Sequence, residues 1–465
     1  MKSTHNNRSS FTGSIGFVLA AAGSAVGLGN IWRFPYLAAK DGGGVFLLCY
    51  LVLAVTFGFA LLTTELAIGR KTKQSPLTAY KVIHKGWGFL GILACFVPVI
   101  ILPYYCTIGG WVLKYLFTYI TGSGSATVAD TYFSAFISSQ WSPIIWFLIF
   151  LFATAFVVYR GVNNGIESYS KILLPILLIL IICIAVFSLT LKYTDDNGVT
   201  RTGLQGFAVY VIPDFTGMTL KKFFVILTDA MGQLFFSISV AMGIMVAYGS
   251  YVKKETNLVK SVNQIEIFDT IVAFLAGMMI VPAVFTFMGT EGMSAGPGLM
   301  FVSLPKVFNS MGFAGNIIGI IFFLMVTFAA VTSSVSVMEA IVSSAMDKFG
   351  FSRKKSTVLV TLGTVIVGII VCLGYNLLYF ELTLPNGATA QILDVLDYIS
   401  NNCLMPLVGF LTCILIGWVA KPKCIIDEMK SSGHKFGREK LYVVMMKFVA
   451  PILLFILLIQ SVGII

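Results

Sequence analysis

Three groups of small and oxygen-bearing residues interrupt apolar runs of the sequence, at 23–30, 237–243 and 329–334. Each glycine costs about 1 kcal/mol in a helix interior. Breaks of this kind free backbone carbonyls, and together with hydroxyl and carboxylate oxygens these can bind an ion or a polar substrate inside a membrane. The alternative for any one group is close packing of helices through small residues. The pattern therefore predicts broken helices around an ion or substrate site, or tightly packed ones.

Other reactive side chains give no support to an enzyme. No nucleophile is paired with a base, and the three histidines, His5, His84 and His434, lie in predicted loops. The cysteines form no CxxC pair and lie mostly inside apolar runs, so they are predicted to be small buried apolar residues: Cys49, Cys95, Cys106, Cys183, Cys372, Cys403, Cys413 and Cys424.

The elements that position these groups must be membrane helices. Among the 465 residues, 57% are hydrophobic and 11% charged, and the mean hydropathy is +0.92. A soluble fold cannot bury so much apolar surface, and continuous apolar runs of about 20 residues predict helices that cross the bilayer. Eleven runs fall at 14–38, 43–69, 87–120, 142–160, 166–192, 222–250, 259–288, 314–346, 356–376, 390–419 and 441–464.

The basic residues predict the orientation. The net charge is +11, but the charges lie in short gaps between apolar runs, which argues against nucleic-acid binding. Most of the 31 basic residues fall on one side if the N-terminus is cytoplasmic, so we expect that orientation in the cell membrane.

The breaks also predict an internal repeat, since they occur in the first and sixth runs. Two five-helix halves with corresponding broken helices are typical of the inverted repeats of secondary transporters. The expected organisation is a cytoplasmic tail (1–13), a first repeat (14–192), an external loop (193–221), a second repeat (222–419), a cytoplasmic loop (420–440) and an eleventh helix (441–465).

Four segments carry a family resemblance: GLGNIWRFPY at 27–36, GGG at 42–44, GQLFFSIS at 232–239 and FAAVTSS at 328–334. They resemble the first, sixth and eighth helices of the neurotransmitter:sodium symporter family, in particular its bacterial eleven-helix transporters of hydrophobic amino acids and tyrosine. The resemblance implies an all-α membrane protein with the 5+5 inverted-repeat fold, broken helices 1 and 6, and one extra helix.

The resemblance also implies two sodium ions as coupling ions. The first site would use the carbonyl of Ala25, the side chains of Asn30, Ser237 and Asp269, and the substrate carboxylate. The second site would use carbonyls of the first and eighth helices and two hydroxyls: Gly23, Val26, Ala329, Thr332 and Ser333. Back-bonding of the hydroxyls at 332–334 to the preceding helical turn is the alternative for that segment.

The implied substrate is a neutral hydrophobic L-amino acid held at the breaks. Its carboxylate would contact the backbone at Leu28 and Gly29 and the hydroxyl of Tyr105, and its amine would contact carbonyls near Ala25, Phe236 and Ser239. The remaining implied pocket residues are Ile101, Met242, Ser334 and Val337.

Charged residues at the two ends of the site resemble the family's gates. Arg33 and Asp397 match the external gate. The cytoplasmic gate matches Arg8, Ser250, Tyr251 and Asp347. Phe11 stands where the family usually has tryptophan, so the inner latch is expected to be weaker. Gly165 and Pro175 match a motif that lets the fifth helix unwind, or mark an ordinary proline kink.

The expected function is sodium-coupled uptake of hydrophobic amino acids by alternating access. The position that matches the family's chloride site combines Tyr50, Gln233 and Ser237 with Ala273, which has no hydroxyl, so transport is expected to be independent of chloride. Asp269 is expected to replace the chloride charge; the alternative is that Asp269 is only a sodium ligand and the substrate carboxylate balances the charge. A sensor without net transport and a proton-coupled transporter are the alternatives. The expected partners are the amino acid and the lipid bilayer, with no nucleic acid and no oligomeric state assigned.

Overall fold

Long helices dominate the computed structural model, which describes residues 10–195, 198–289, 298–385 and 387–463. Within those ranges, nine helices are long and apolar enough to cross a membrane. Helix α1 adds a tenth span made of two halves that meet at an angle of 52°. The sixth predicted run is also divided into two helices. All eleven runs are therefore helical, as the sequence predicts.

The spans are labelled in chain order. They are α1 (Ser14–Ala25 and Gly29–Lys40), α2 (Gly44–Thr72), α3 (Lys85–Ile120), α4 (Ser142–Tyr159), α5 (Val162–Leu189), α6 (Leu220–Ser237 and Ile244–Ser250), α7 (Leu258–Met288), α8 (Phe313–Phe349), α9 (Arg353–Leu373), α10 (Ile392–Val419) and α11 (Glu439–Ser461).

Two of the three interruptions break a helix, and the third does not. In α6 the break contains backbone in the left-handed region, with φ of 53° at Ser239, 61° at Ala241 and 72° at Gly243. Segment 329–334, in contrast, lies inside the continuous helix α8. The hydroxyls of Thr332 and Ser334 bond to carbonyls of the preceding turn, and the helix continues through this segment.

Small residues bring the second half of α6 against α2. A Cβ atom added at Gly69 would lie 2.0 Å from the carbonyl oxygen of Val246, and one at Gly249 would lie 2.3 Å from that of Leu66. The two backbones can approach only because both positions are glycine. Close packing and helix breaking therefore occur side by side in α6.

The connections contain short elements on both sides of the bundle. Short helices cover Pro76–Ile83, Asp130–Ser138, Gly203–Val211, Leu304–Ser310 and Lys423–Lys430. Two antiparallel strand pairs join Lys192–Thr194 to Thr200–Thr202 and Leu382–Thr383 to Thr389–Ala390. In the loop after α5, the Tyr210 hydroxyl donates to the Phe274 carbonyl at 3.0 Å, which fixes the loop to α7.

Candidate functional site

A fully buried carboxylate lies at the centre of the first cluster of oxygens. Asp269 on α7 accepts hydrogen bonds from Asn30 Nδ2 and Ser237 Oγ, both at 2.8 Å, and from the Tyr50 hydroxyl at 3.2 Å. Asn30 and Ser237 come from the breaks of α1 and α6, and their side chains are 2.8 Å apart. The structure therefore brings together the side chains that the resemblance implies for the first sodium site.

Side-chain amides hold the unwound part of α1 in place. The Gly27 amide donates to Asn30 Oδ1 at 3.3 Å, and Gln233 Nε2 donates to the Gly29 carbonyl at 3.0 Å. Gln233 Oε1 is buried and has no hydrogen-bond partner among the described residues.

A second cluster of oxygens joins α1 to α8. The Ser333 hydroxyl lies 3.5, 3.0 and 3.4 Å from the carbonyl oxygens of Gly23, Ser24 and Val26. The Thr332 hydroxyl bonds to the carbonyl of Ala329 at 3.0 Å and to that of the residue before it. Back-bonding therefore does occur at Thr332, whereas Ser333 reaches across to the broken helix.

The chemistry of both clusters suits a hard monovalent cation. The atoms that could bind an ion in these clusters are the oxygens of carbonyls, hydroxyls, one side-chain amide and one carboxylate. Unwound membrane helices offer oxygen ligands of this kind to sodium. Across the described ranges, no group of three or more His, Cys, Asp or Glu side chains could hold a metal ion. A transition metal would need such nitrogen or sulfur ligands, so sodium fits these residues better.

A small cavity lies between the two clusters, enclosed by α1, α3, α6 and α8. Eight residues that the resemblance implies for substrate contact line it: Ala25, Gly29, Ile101, Tyr105, Phe236, Ser239, Met242 and Val337. Leu28 contributes through its backbone, since its amide donates to the Tyr105 hydroxyl at 3.3 Å. Four further lining residues were not predicted as substrate contacts: Ser24, Gly27, Asn30 and Ser333.

Ser334, which the resemblance implies for the pocket, does not line this cavity in the structure. Its hydroxyl lies 2.8 Å from that of Thr154 on α4 and 3.0 Å from the carbonyl of Val331. Successive residues of a helix point about 100° apart. Ser333 therefore faces α1 while Ser334 faces α4, which the sequence of a serine pair does not reveal.

Phe236 covers the backbone of α1 at Gly29. A Cβ atom added at Gly29 would lie 2.3 Å from Phe236 Cδ1, so only glycine allows the ring to lie there. Phe236 also lines the cavity beside Ile101 and Met242. The aromatic ring thus contacts both the unwound backbone of α1 and the cavity.

The predicted outer gate is not closed by a direct ion pair. Arg33 and Asp397 are both described, and no contact within 4.0 Å joins their charged groups. The Asp397 carboxylate instead accepts from Asn401 Nδ2 at 2.6 Å, one helical turn further along α10. Arg33 Nη2 lies near Gly232, 3.9 Å from the position that a Cβ atom on residue 232 would occupy. The two charges lie at the outer end without contact.

The inner end is closed by residues of the N-terminal segment and α6. The Phe11 amide donates to the Tyr251 carbonyl at 3.3 Å, and the Phe11 ring packs edge-on against Tyr248. The Ser250 hydroxyl bonds to its own helix at the Ala247 carbonyl, at 2.5 Å. The predicted gate residue Arg8 lies outside the described residues. Phe11 is therefore buried at this end and is held to α6 by a backbone hydrogen bond.

Asp347 and a buried ion pair complete this inner closure. Asp347 Oδ2 accepts from the Ser75 amide at 2.6 Å. The Tyr251 hydroxyl donates to Glu339 at 2.6 Å, and Arg353 binds both oxygens of that carboxylate at 2.6 and 2.9 Å. Glu339 and Arg353 were not predicted. A glutamate inside an apolar helix is itself a sign of function, and that sign could have identified it.

Glu167 ties the N-terminal segment to the start of α5. Its carboxylate accepts from the Thr12 amide at 2.9 Å and pairs with Lys171 Nζ at 2.7 Å. It belongs to a wide π-helical turn, Val162–Glu167, whose Gly165 approaches the Val157 carbonyl so closely that a Cβ atom would lie 2.1 Å away. The turn precedes Pro175 in the same helix. The start of α5 thus departs from regular α-helical hydrogen bonding.

A buried carboxyl at the outer end of α1 predicts a pH dependence of stability. Burial, with the neighbouring Asp229, raises the pKa of Asp41 to about 7, and Lys40 opposes this shift. The unfolded value is about 3.9, so the folded state holds the extra proton and stability falls as pH rises between these values. Asp41→Asn removes the ionised form, and we expect a midpoint of thermal unfolding a few degrees above wild type at pH 8.

The two proteins should unfold at nearly the same temperature at about pH 3, where Asp41 is mostly protonated in both the folded and the unfolded state. Fluorescence-detected melting of detergent-purified protein measures both values. Asp214→Asn is a control, since that carboxylate is exposed in the loop before α6. A lower midpoint for Asp41→Asn at pH 8 would contradict the assignment.

Comparison with known proteins identifies similar chains along nearly the whole length. The model of the sodium:neurotransmitter symporter family matches residues 8–135 and 133–465. A Bacillus subtilis protein described as the uncharacterized sodium-dependent transporter YhdH is 35% identical over 460 residues, 97% of each chain. The rat sodium- and chloride-dependent GABA transporter 2 is 26% identical, covering 92% of this chain and 76% of that one. The crystal structure of MhsT in complex with L-phenylalanine matches with a TM-score of 0.85 and 34% identity, covering 98% of this chain and 100% of MhsT.

Proposed function

Because this chain belongs to the sodium:neurotransmitter symporter family of membrane transporters, we propose that it carries neutral hydrophobic L-amino acids into the cell with two sodium ions. The observation that carries the proposal is the broken part of α1, which contributes to two oxygen clusters and to the cavity between them. One segment thus contacts both ion positions and the substrate position.

The cavity supports an apolar substrate with an amino-acid backbone. Ile101, Met242 and Val337 line one part of it, and no charged side chain is among its lining residues. The backbone at Leu28 and Gly29 and the Tyr105 hydroxyl offer contacts for a carboxylate. The phenylalanine bound to MhsT belongs to this class of compound, and a flexible methionine suits side chains of different shape.

We place the N-terminus in the cytoplasm, from the distribution of basic residues. In that orientation the closed end with Phe11, Glu339 and Arg353 faces inward, and the separated Arg33 and Asp397 face outward. The described arrangement is therefore closed on the inside and has no direct ion pair on the outside. The proposed tail, repeats, loops and eleventh helix keep the boundaries predicted from the sequence.

The proposed cycle uses the two ends in turn. Binding of sodium and substrate holds α1 and α6 together at Asn30 and Ser237, which are already in hydrogen-bond contact, and brings Arg33 and Asp397 closer on the outside. Opening of the inner end separates Phe11 from Tyr251 and breaks the Thr12–Glu167 contact, so that α5 can unwind at Gly165. The second sodium then leaves past Ser333, and the substrate follows.

Uptake into proteoliposomes tests this function. A sodium gradient should drive accumulation of radiolabelled leucine or phenylalanine, whereas potassium or proton gradients alone should not. Accumulation driven by protons without sodium would indicate proton coupling, and binding without accumulation would indicate a sensor. Leucine, isoleucine, valine, phenylalanine, tyrosine and tryptophan should compete within about 100-fold of each other, since one methylene changes binding by only about 1–3 kcal/mol.

Lysine, glutamate and monoamines should not compete in that panel. The cavity lining has no charge to pair with the first two, and a monoamine lacks the carboxylate expected near Leu28. A monoamine or a charged amino acid that competes better than leucine would refute the proposed substrate class.

A further inference from the structure

An apolar groove lies on the lipid-facing surface between α4 and α9. Its volume is about 310 Å³, and its walls include Phe152, Phe156 and Tyr159 of α4 and Val358 and Leu362 of α9. These five side chains are all more than a third exposed. The hydroxyls of Thr357 and Thr361, also in the groove, donate to carbonyls of their own helix, at 2.9 and 2.7 Å. The groove therefore offers apolar surface and no free hydroxyl donor.

Two cations border one end of this groove. Lys354 Nζ lies 5.5 Å from the centre of the Tyr159 ring, and the Arg160 guanidinium carbon lies 5.3 Å from the centre of the Phe156 ring. Both side chains are exposed. Among the described residues, no carboxylate lies within 4.0 Å of either cation, and nearby Glu339 is occupied by Arg353. The rim thus carries two positive charges without an anionic partner.

The rim lies on the side of the protein that we place in the cytoplasm. The Thr12–Glu167 contact puts the N-terminal segment at the beginning of α5, and α4 ends at Tyr159, just before that point. An acyl chain is the natural filling of an apolar groove that faces lipid. Unpaired lysine and arginine at the membrane surface attract anionic headgroups. An anionic lipid, which has both an acyl chain and a charged headgroup, fits this combination better than a neutral lipid or a free phosphate.

The same rim is connected to the inner closure through Arg353, the residue before Lys354. Its guanidinium lies 3.4 Å from the Val158 carbonyl at the end of α4 and 3.4 Å from the Tyr251 hydroxyl, besides its pair with Glu339. A single anion between Arg160 and Lys354 would hold the ends of α4 and α9 together. The helix ends have this arrangement in the structure, where Arg353 contacts the Val158 carbonyl, the Tyr251 hydroxyl and the Glu339 carboxylate.

We propose that this groove binds an anionic diacyl phospholipid of the cytoplasmic leaflet, and that the bound lipid favours the closed inner side. One acyl chain lies along Phe152 and Leu362, and the phosphate lies between Arg160 and Lys354. The proposal goes beyond the transport function and shares with it only the orientation of the chain. Its test requires no uptake measurement, so either can fail alone.

The experiment compares the full-length protein in nanodiscs of phosphatidylcholine alone and of phosphatidylcholine mixed with phosphatidylglycerol. Native mass spectrometry measures retained phosphatidylglycerol, and hydrogen exchange measures protection of Ile244–Ser250. We expect retention and slower exchange in the anionic discs. Arg160→Gln with Lys354→Gln should weaken phosphatidylglycerol binding about 25-fold, about fivefold for each charge.

Lys355→Gln is the matched control, because Lys355 is also exposed but lies over the Phe351 ring, 4.2 Å from its centre, and outside the groove. Val358→Trp fills the groove from an exposed position and leaves both rim cations, and it should also weaken binding. Equal losses in Lys355→Gln and the double variant would overturn the site. Undiminished binding in Val358→Trp, or equal protection by inorganic phosphate in neutral discs, would overturn the lipid as occupant.

Discussion

Asp269→Asn is expected to reduce sodium-driven uptake in chloride-free buffer at least 10-fold, and added chloride is expected to restore part of it. The variant keeps the size of the side chain but removes its negative charge. Asp269 is fully buried beside Asn30, Ser237 and Tyr50, so no solvent can compensate for that loss. A chloride ion beside the hydroxyls of Tyr50 and Ser237, which can donate to an anion, could supply the missing charge.

The matched control is Thr270→Val, on the same helix. The Thr270 hydroxyl only bonds back to the Glu266 carbonyl, so its loss should leave uptake nearly unchanged. Wild-type uptake should persist when gluconate replaces chloride at constant sodium. A collapse of wild-type uptake under those conditions would refute the proposed role of Asp269 as the internal anion.

Ser333→Ala is expected to raise the sodium concentration for half-maximal uptake about 10-fold or more, while Ser334→Ala should change it less than about threefold. Both side chains are buried in the same turn of α8, but only the Ser333 hydroxyl faces the carbonyls of Gly23, Ser24 and Val26. Removing one polar partner from a buried group costs about 1–3 kcal/mol. The Ser334 hydroxyl faces Thr154 instead.

The adjacent pair separates an ion-binding effect from a packing effect, because each variant removes one buried hydroxyl. Sodium titration of substrate uptake measures the difference, and thermal unfolding without sodium shows whether the two variants are equally stable. Equal sodium dependence in both variants would exclude Ser333 from the second sodium site.

Much of this architecture could be predicted because it is local in the sequence. Long apolar runs specify membrane helices, and glycines with polar neighbours specify the breaks in α1 and α6. The direction of a side chain around a continuous helix depends on how that helix packs, so the sequence alone does not show that Ser333 faces α1 while Ser334 faces Thr154. The pairing of Glu339 on α8 with Arg353 at the start of α9 was also not predicted. It depends on how these helices pack against α4 and α6, which Arg353 also contacts.

The outer end illustrates another limit of the sequence. Matching residues at Arg33 and Asp397 predicts that they act together, but their distance depends on the positions of α1 and α10 in one conformation. The structure separates them and gives Asp397 a local partner, Asn401. A pattern of residues describes the whole cycle, whereas a structure describes one arrangement within it.

The short break in α1 has a thermodynamic consequence. Gly27 and Asn30 belong to one cluster, Gly23 and Val26 to the other, and both adjoin the cavity. Any ligand that orders this segment lowers the ordering cost for the others. By linkage, the factor by which sodium tightens binding of the proposed amino-acid substrate must equal the factor by which that substrate tightens sodium binding. The segment thus makes binding of its ligands positively cooperative, so that each binds tightly only when the others are also bound.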